Sequence, residues 1–261
     1  MANALCANLT LLFTELPLPA RIAAAKQAGF AGVEIQFPYA VPAAELKAAL
    51  DAAGLPLVLI NLPAGDLLDG GAGLACVPDC QAEFDAALAE ALAYAEVVKP
   101  QQVNVLPGRF VANVEESTAL DCLAANVRKT AEAFAPLGIG VVCEAINPFD
   151  LPGFAVSTPQ ALRALLEQVN HPNAKAQLDL YHMARQGFEL PEAIAELAGL
   201  IGHVQFADYP GRAQPGSGKL DFAEVRAALS AAGYRGWLSA EYRPHGDPAA
   251  SLAWLADWPR D

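Results

Sequence analysis

The feature that most constrains the fold is a regular alternation of short β-type runs with Ala/Leu-rich helical segments, continuing unbroken along the chain. Strands are expected over residues 4–9, 32–36, 56–61, 102–106, 140–144, 174–179, 202–207 and 236–241. Helices are expected near 17–28, 42–53, 80–98, 115–137, 159–169, 190–200, 222–232 and 248–255. Pro17, Pro42 and Pro248 sit where a first helical turn tolerates proline. Gly29, Gly54, Gly138 and Gly233 follow helices as C-terminal stops. No Ser/Gly linker or composition break separates the eight β–α units. Strands that alternate with helices pair in parallel, and eight units in 261 residues match the size of a closed α/β (β/α)8 TIM barrel. The expectation is a single domain spanning residues 1–261. A doubly wound open sheet usually carries a Gly-rich phosphate turn after its first strand, but "CANLTLLFTELP" contains no glycine.

Charge narrows the partners. A net charge of −13 argues against nucleic acid, which needs concentrated Lys and Arg, and against an anionic membrane surface. No uninterrupted apolar run reaches the ~20 residues of a membrane span. The N-terminal "MANALCANLTLLF" lacks the basic start of a signal peptide. A cytoplasmic protein acting on a small molecule is expected, and a homo-oligomer is compatible with the composition. An anionic substrate would need local cations or a metal. The five cysteines are an odd number in apolar segments, and Cys76/Cys80 in "CVPDC" has no second pair. That favours buried free thiols in a reducing compartment over a structural zinc site.

In such a barrel, chemistry belongs at the C-terminal strand ends. Asn8 lies near the first, Glu34 and Gln36 on the second, Asn61 on the third and Asn104 on the fourth. Glu144 ends the fifth, Asp179 the sixth, Gln205 lies on the seventh and Glu241 ends the eighth. Alternation puts Val142/Glu144, Gln177/Asp179, His203/Gln205 and Ser239/Glu241 on shared faces. One polar strand end is ordinary. Four on successive strands converge on one mouth, and three uncompensated carboxylates there would repel unless a cation sat among them. Oxygen ligands with that charge select a hard divalent ion such as Mg²⁺ or Mn²⁺.

Within "KAQLDLYHM", Asp179 closes the strand, and Gln177, one layer deeper, reads as interior support. His182 is expected in a loop just beyond, as a donor to a substrate oxygen or a surface histidine. Arg212, in the Pro/Gly-rich "ADYPGRAQPGSG", is a carboxylate clamp on a lid or a solvated loop charge. Asn61 is the third residue expected to face substrate. His203 reads as a packed or supporting histidine, and Glu34 either orients a neighbour or plugs the barrel interior.

Seven stretches, "CANLTLLFTELP", "GFAGVEIQFPY", "NLPAGD", "EAINPFDLPGF", "QLDLYHM", "IGHVQFADYPGRAQPGSG" and "GYRGWLSAEYRP", together resemble the hydroxypyruvate isomerase family of xylose-isomerase-like barrels. The resemblance runs in order from about Ala4 to Pro244. It implies a divalent metal held by Glu144, Asp179, Gln205 and Glu241, with Glu144 and Glu241 as the acid/base pair. It also matches His182 and Arg212 to positions that contact substrate oxygens. Related ketose 3-epimerases typically carry His where Gln205 stands. The chain departs from the hydroxypyruvate isomerases at Pro148, where they often have His. The implied reaction is interconversion of hydroxypyruvate and tartronate semialdehyde through an enediolate. The rivals are a 2-oxo-tetronate isomerase, a ketose 3-epimerase, an apurinic endonuclease and a non-catalytic sugar-acid-binding barrel.

Overall fold

A computed structural model describes residues 3–258. Eight strands, β1 (Leu5–Asn8), β2 (Gly32–Ile35), β3 (Leu57–Asn61), β4 (Gln102–Val105), β5 (Gly140–Glu144), β6 (Ala174–Asp179), β7 (Ile201–Phe206) and β8 (Leu238–Ala240), pair in chain order. β1 pairs parallel with both β2 and β8, so the barrel closes. Around it run α1 (Leu18–Ala28), α2 (Ala43–Ala53), α3 (Gln81–Val98), α4 (Glu116–Phe134), α5 (Pro159–Val169), α6 (Leu180–Arg185), α7 (Leu190–Glu196) and α8 (Phe222–Ala231).

The eight expected strands all form, β5 and β6 with the expected bounds and the others trimmed or shifted by one or two residues. Two helical expectations need correcting. Segment 248–255 forms a 3₁₀ turn over Ala250–Ala256 rather than an α-helix. Residues after β6 are not a loop: the Asp179 carboxylate accepts a hydrogen bond from the Tyr181 amide at 2.8 Å, which caps and starts α6 directly from the strand. Proline or a side-chain cap begins several other helices. Thr158 accepts from the Ala161 amide before α5, and Asp221 from the Ala223 and Glu224 amides before α8. α1 stops at Gly29 with φ 96°, a left-handed conformation that glycine adopts without a Cβ penalty.

The main core lies between barrel and helices, where Ile22, Leu46, Phe84, Phe134 and Phe206 are fully or almost fully buried. Inside the barrel, side chains alternate by layer. Two residues before Asn8, Glu34 and Glu144 come Cys6, Gly32 and Val142. A small apolar cluster containing Cys6, Val58 and Val142 packs under Trp237 at that N-terminal end. Gly32 is required there, since a Cβ would stand 2.8 Å from Val58 Cγ2 and 3.0 Å from the Trp237 ring. The carboxylates Glu34, Glu144 and Asp179 therefore stand in the layers above this cluster, while Gln102 and Ser239 are polar side chains at its level. All five cysteines are free, with Cys6, Cys76 and Cys143 buried and Cys80 and Cys122 partly exposed.

Candidate active site

Strand geometry delivers the nominated residues to one place. Glu144 and Asp179 close β5 and β6, Gln205 is the penultimate residue of β7, and Glu241 follows β8 directly. Register sets Glu144 beside Gln177 and Asp179 beside Gln205. Glu144, Gln205, Glu241, Asn61, His182 and Arg212 all line a cavity of about 500 Å³ at the C-terminal mouth. Asp179 lies directly behind it, with Oδ2 3.4 Å from both Arg212 Nη2 and His182 Nε2. The opposite wall is apolar, built from Leu11, Phe37, Leu67, Leu106, Ile146 and Leu151.

Beneath the carboxylates runs a hydrogen-bonded layer. Gln177 donates from Nε2 to Glu144 Oε2 at 2.8 Å and to Gln205 Oε1 at 2.6 Å, the interior support its spacing suggested. Gln205 donates to Glu34 Oε1 at 2.8 Å, Asn8 donates to the same oxygen at 2.7 Å, and His203 Nε2 lies 2.7 Å from Glu34 Oε2. Glu34 therefore orients its neighbours, and His203 supports it. Burial alone would push the Glu34 carboxyl up. The charge of the adjoining His203, with hydrogen bonds from His203 and Gln205, outweighs it and brings the group below its ordinary value.

The mouth carboxylates behave oppositely. Burial, then the charges of Glu241 and Asp179, push Glu144 well above the ordinary range against the opposing pull of Arg212 and Asn104. Burial likewise raises Glu241. Its ion pair with Arg212, Nη2 to Oε1 at 2.6 Å, does not offset burial and repulsion from Asp179 and Glu34, so it is pushed up to about 8. Its other oxygen, Oε2, is buried without a hydrogen-bond partner. Arg212 is the one cation in contact with Asp179 and Glu241 among the described residues.

Arg212 belongs inside the cavity rather than in solvent. Its guanidinium lies 5.1 Å from the Tyr181 ring centre, and its backbone has φ 51°. The loop carrying it is organised by Asp208, whose carboxylate accepts from the amides of Tyr209, Gly216, Gly218 and Leu220 at 2.8–3.1 Å.

His182 corrects the loop expectation. It sits on α6, is 3 % exposed, and burial lowers its pKa. Its Nε2 faces Asp179 Oδ2 and, at 3.8 Å, Glu144 Oε1. Its Nδ1 lies 2.6 Å from Asn147 Nδ2. Sequence reasoning did not nominate Asn147, Asp150 or Tyr181, which lie on a loop and on an unexpected helix. Gln36 and Asn104 showed a signal, as strand-end amides. They prove to donate to Glu241 Oε1 and Glu144 Oε2, each at 3.2 Å.

This donor set fits a metal ion. One ligand atom each from Glu144, Asp179 and His182 lies within 4.8 Å of the others. Glu241 adds an unsatisfied carboxylate oxygen at the same mouth, and repulsion among these groups is what a divalent cation would relieve.

Comparisons with known proteins agree with the geometry. A family model described as "Xylose isomerase-like TIM barrel" matches residues 22–258. The chain is 38% identical to the hydroxypyruvate isomerase of Escherichia coli (strain K12) over 250 residues, covering 95% of this chain and 96% of that one. It is 36% identical to the 2-oxo-tetronate isomerase of Cupriavidus necator, over 95% and 96% of the two chains. A solved structure from Brucella melitensis, titled an AP endonuclease of family 2, superposes with a TM-score of 0.94 at 33% identity over 100% of both chains. The chain belongs to the xylose isomerase-like TIM-barrel family, as an isomerase among relatives named hydroxypyruvate isomerase and 2-oxo-tetronate isomerase.

Proposed function

We propose that the protein interconverts hydroxypyruvate and tartronate semialdehyde, with Glu144 and Glu241 transferring the proton between adjacent carbons. The observation that carries this is a pair of buried glutamates facing one cavity, both with raised pKa values, beside an inward-facing arginine and a buried histidine. Two carboxyls facing one cavity can take a proton from one carbon and return it to its neighbour, which is what an acid/base pair needs.

One glutamate removes a proton from the hydroxymethyl carbon of hydroxypyruvate, and the electron pair moves into an enediolate. The other carboxyl returns a proton to the neighbouring carbon, while the hydroxyl proton passes to the former carbonyl oxygen. Arg212 pairs with the substrate carboxylate, the anion-binding element that a chain of net charge −13 must supply locally. His182 donates from Nε2 to a substrate oxygen, and Asn61 contributes a polar group on the wall across the mouth. Glu144, Asp179, Gln205 and Glu241 would hold Mg²⁺ or Mn²⁺, which would supply Lewis-acid polarisation of the reacting carbonyl. The net charge argues against a nucleic acid as the ligand.

The 36% identity to a 2-oxo-tetronate isomerase, together with the 500 Å³ cavity, favours a second reading in which the substrate carries a fourth carbon. NMR in D₂O separates the two. Hydroxypyruvate and 2-oxo-tetronate are each incubated with the enzyme plus Mg²⁺ and with chelator. Faster turnover of hydroxypyruvate with deuterium at the reacting carbons is expected. Binding without deuterium incorporation into either acid would show a non-catalytic barrel. Glu144→Gln and Glu241→Gln should each lower kcat by ~10²–10⁴-fold.

A further inference from the structure

We infer that Asn147 fixes the His182 ring as its Nε2–H tautomer, which makes His182 a hydrogen-bond donor to the cavity and keeps it out of the metal's coordination shell. The Asn147 amide leaves no freedom of assignment. Its Oδ1 accepts from the backbone amides of Phe149 at 3.0 Å and Asp150 at 2.9 Å, so that atom must be the oxygen. The other end is the NH₂ group, with two protons to place. One goes to Asp150 Oδ2 at 3.0 Å and the other to His182 Nδ1 at 2.6 Å.

A donor at 2.6 Å requires a lone pair on Nδ1. The ring is then neutral with its proton on Nε2, the nitrogen that faces Asp179 Oδ2 and Glu144 Oε1. A histidine that ligates a metal through Nε2 carries its proton on Nδ1 and donates it to a carboxylate, carbonyl or water. Asn147 offers no such acceptor, because both lone pairs of its oxygen are in use. Turning the amide over would deprive two backbone donors of their partner and set the NH₂ group against them. The triad of Glu144, Asp179 and His182, though compact enough for an ion, therefore divides into two oxygen ligands and one donor. Asp150 completes the device by anchoring the Asn147 amide, and its own carboxylate lies 3.6 Å from Arg185 Nε.

That the donor meets a substrate oxygen rests on the isomerase reading. The tautomer does not, and the test keeps them apart. Protein labelled with ¹⁵N in its histidine rings is examined by long-range ¹H–¹⁵N correlation at pH 7.5, with chelator and then with saturating Mg²⁺. His182 is assigned by its loss in His182→Gln. The expected result is an unprotonated Nδ1 and a protonated Nε2 in both conditions; Nδ1–H in either would overturn the inference. The exchange Asn147→Asp with Asp150→Asn keeps an acceptor for the two backbone amides and restores a donor at position 150, but it reverses the polarity towards His182. In that double variant the ring should switch to Nδ1–H. Affinity for Zn²⁺, followed by calorimetry, should tighten by about 10-fold or more as Nε2 becomes a ligand, and kcat should fall by at least about 10-fold. An unchanged ring spectrum in the folded double variant would also overturn the inference. Failure of the wild type to turn over hydroxypyruvate would refute the substrate assignment and leave the ring spectra standing.

Discussion

Removing the divalent ion should make the stability of this protein fall steeply with pH. Glu241 is pushed up to about 8 in the folded protein, against 4.5 for an ordinary glutamate, and Glu144 is raised as well. Between those values the folded chain keeps protons that the unfolded chain releases. Unfolding then releases protons, so raising the pH favours it, and stability present below pH 4.5 is lost as pH climbs towards 8. Each retained proton costs ~1.4 kcal/mol per pH unit, so Glu241 alone removes about 3 kcal/mol between pH 5 and 7.5. For a domain of this size that is about 6–12 °C in Tm. Glu144 adds to the loss in the same direction. A bound divalent ion holds these carboxylates ionised and removes the penalty, so its stabilising effect grows with pH. The assay is thermal unfolding at pH 5.5, 6.5 and 7.5, in EDTA and in Mg²⁺ or Mn²⁺, repeated with Glu241→Gln. The EDTA curve should drop relative to the metal curve as pH rises, and Glu241→Gln should flatten that drop. Parallel curves, or an undiminished drop in the variant, would refute the electrostatic account of the mouth.

Two further substitutions probe the scaffold. Asp208→Ala removes the acceptor of four loop amides; it should raise KM for the acid substrate by 10-fold or more and speed proteolysis at 209–220, with Tm little changed. Gly32→Ala forces a Cβ to within 2.8 Å of Val58 at the closed end of the barrel; urea unfolding should show a loss of about 1–3 kcal/mol, with kcat unchanged because the mouth is untouched.

The barrel was legible because its two periodicities alternate without interruption, and strand ends were legible because side-chain parity points them to one mouth. That parity brought Glu144, Gln205 and Glu241 to the cavity and Asp179 immediately behind it. What escaped lies where no periodicity operates. The six-residue α6 is too short to show a helical stripe, and its cap is Asp179, a residue read for another task. Asp179 does both: Oδ1 caps the Tyr181 amide while Oδ2 faces Arg212 and His182. Asn147 sits on an irregular segment after β5, where only the folded backbone shows that its side chain meets His182.

Three buried glutamates share this barrel, and their neighbouring charges and hydrogen bonds set their pKa values apart. Glu34 receives Asn8 and Gln205 on one oxygen and His203 on the other, so both oxygens are satisfied and its pKa falls. Glu241 takes Gln36 and Arg212 on Oε1 and nothing on Oε2, and its pKa rises. The same residue type, equally removed from water, is thus favoured as the anion in one layer and pushed towards its protonated form in the next. Amide substitution should separate these roles with opposite signs. Glu34→Gln replaces an acceptor of three donors with a group that is half donor, leaving His203 or the Asn8/Gln205 pair without a partner. Urea unfolding should show a loss of about 3 kcal/mol. Glu241→Gln deletes an ionisation that the metal-free fold resists. In EDTA at pH 7.5 its Tm should exceed that of the wild type, while turnover falls by at least ~10²-fold. Destabilisation of the metal-free protein by both substitutions would mean that the Arg212 ion pair outweighs burial at Glu241, and the proton-transfer role proposed for it would lose its physical basis.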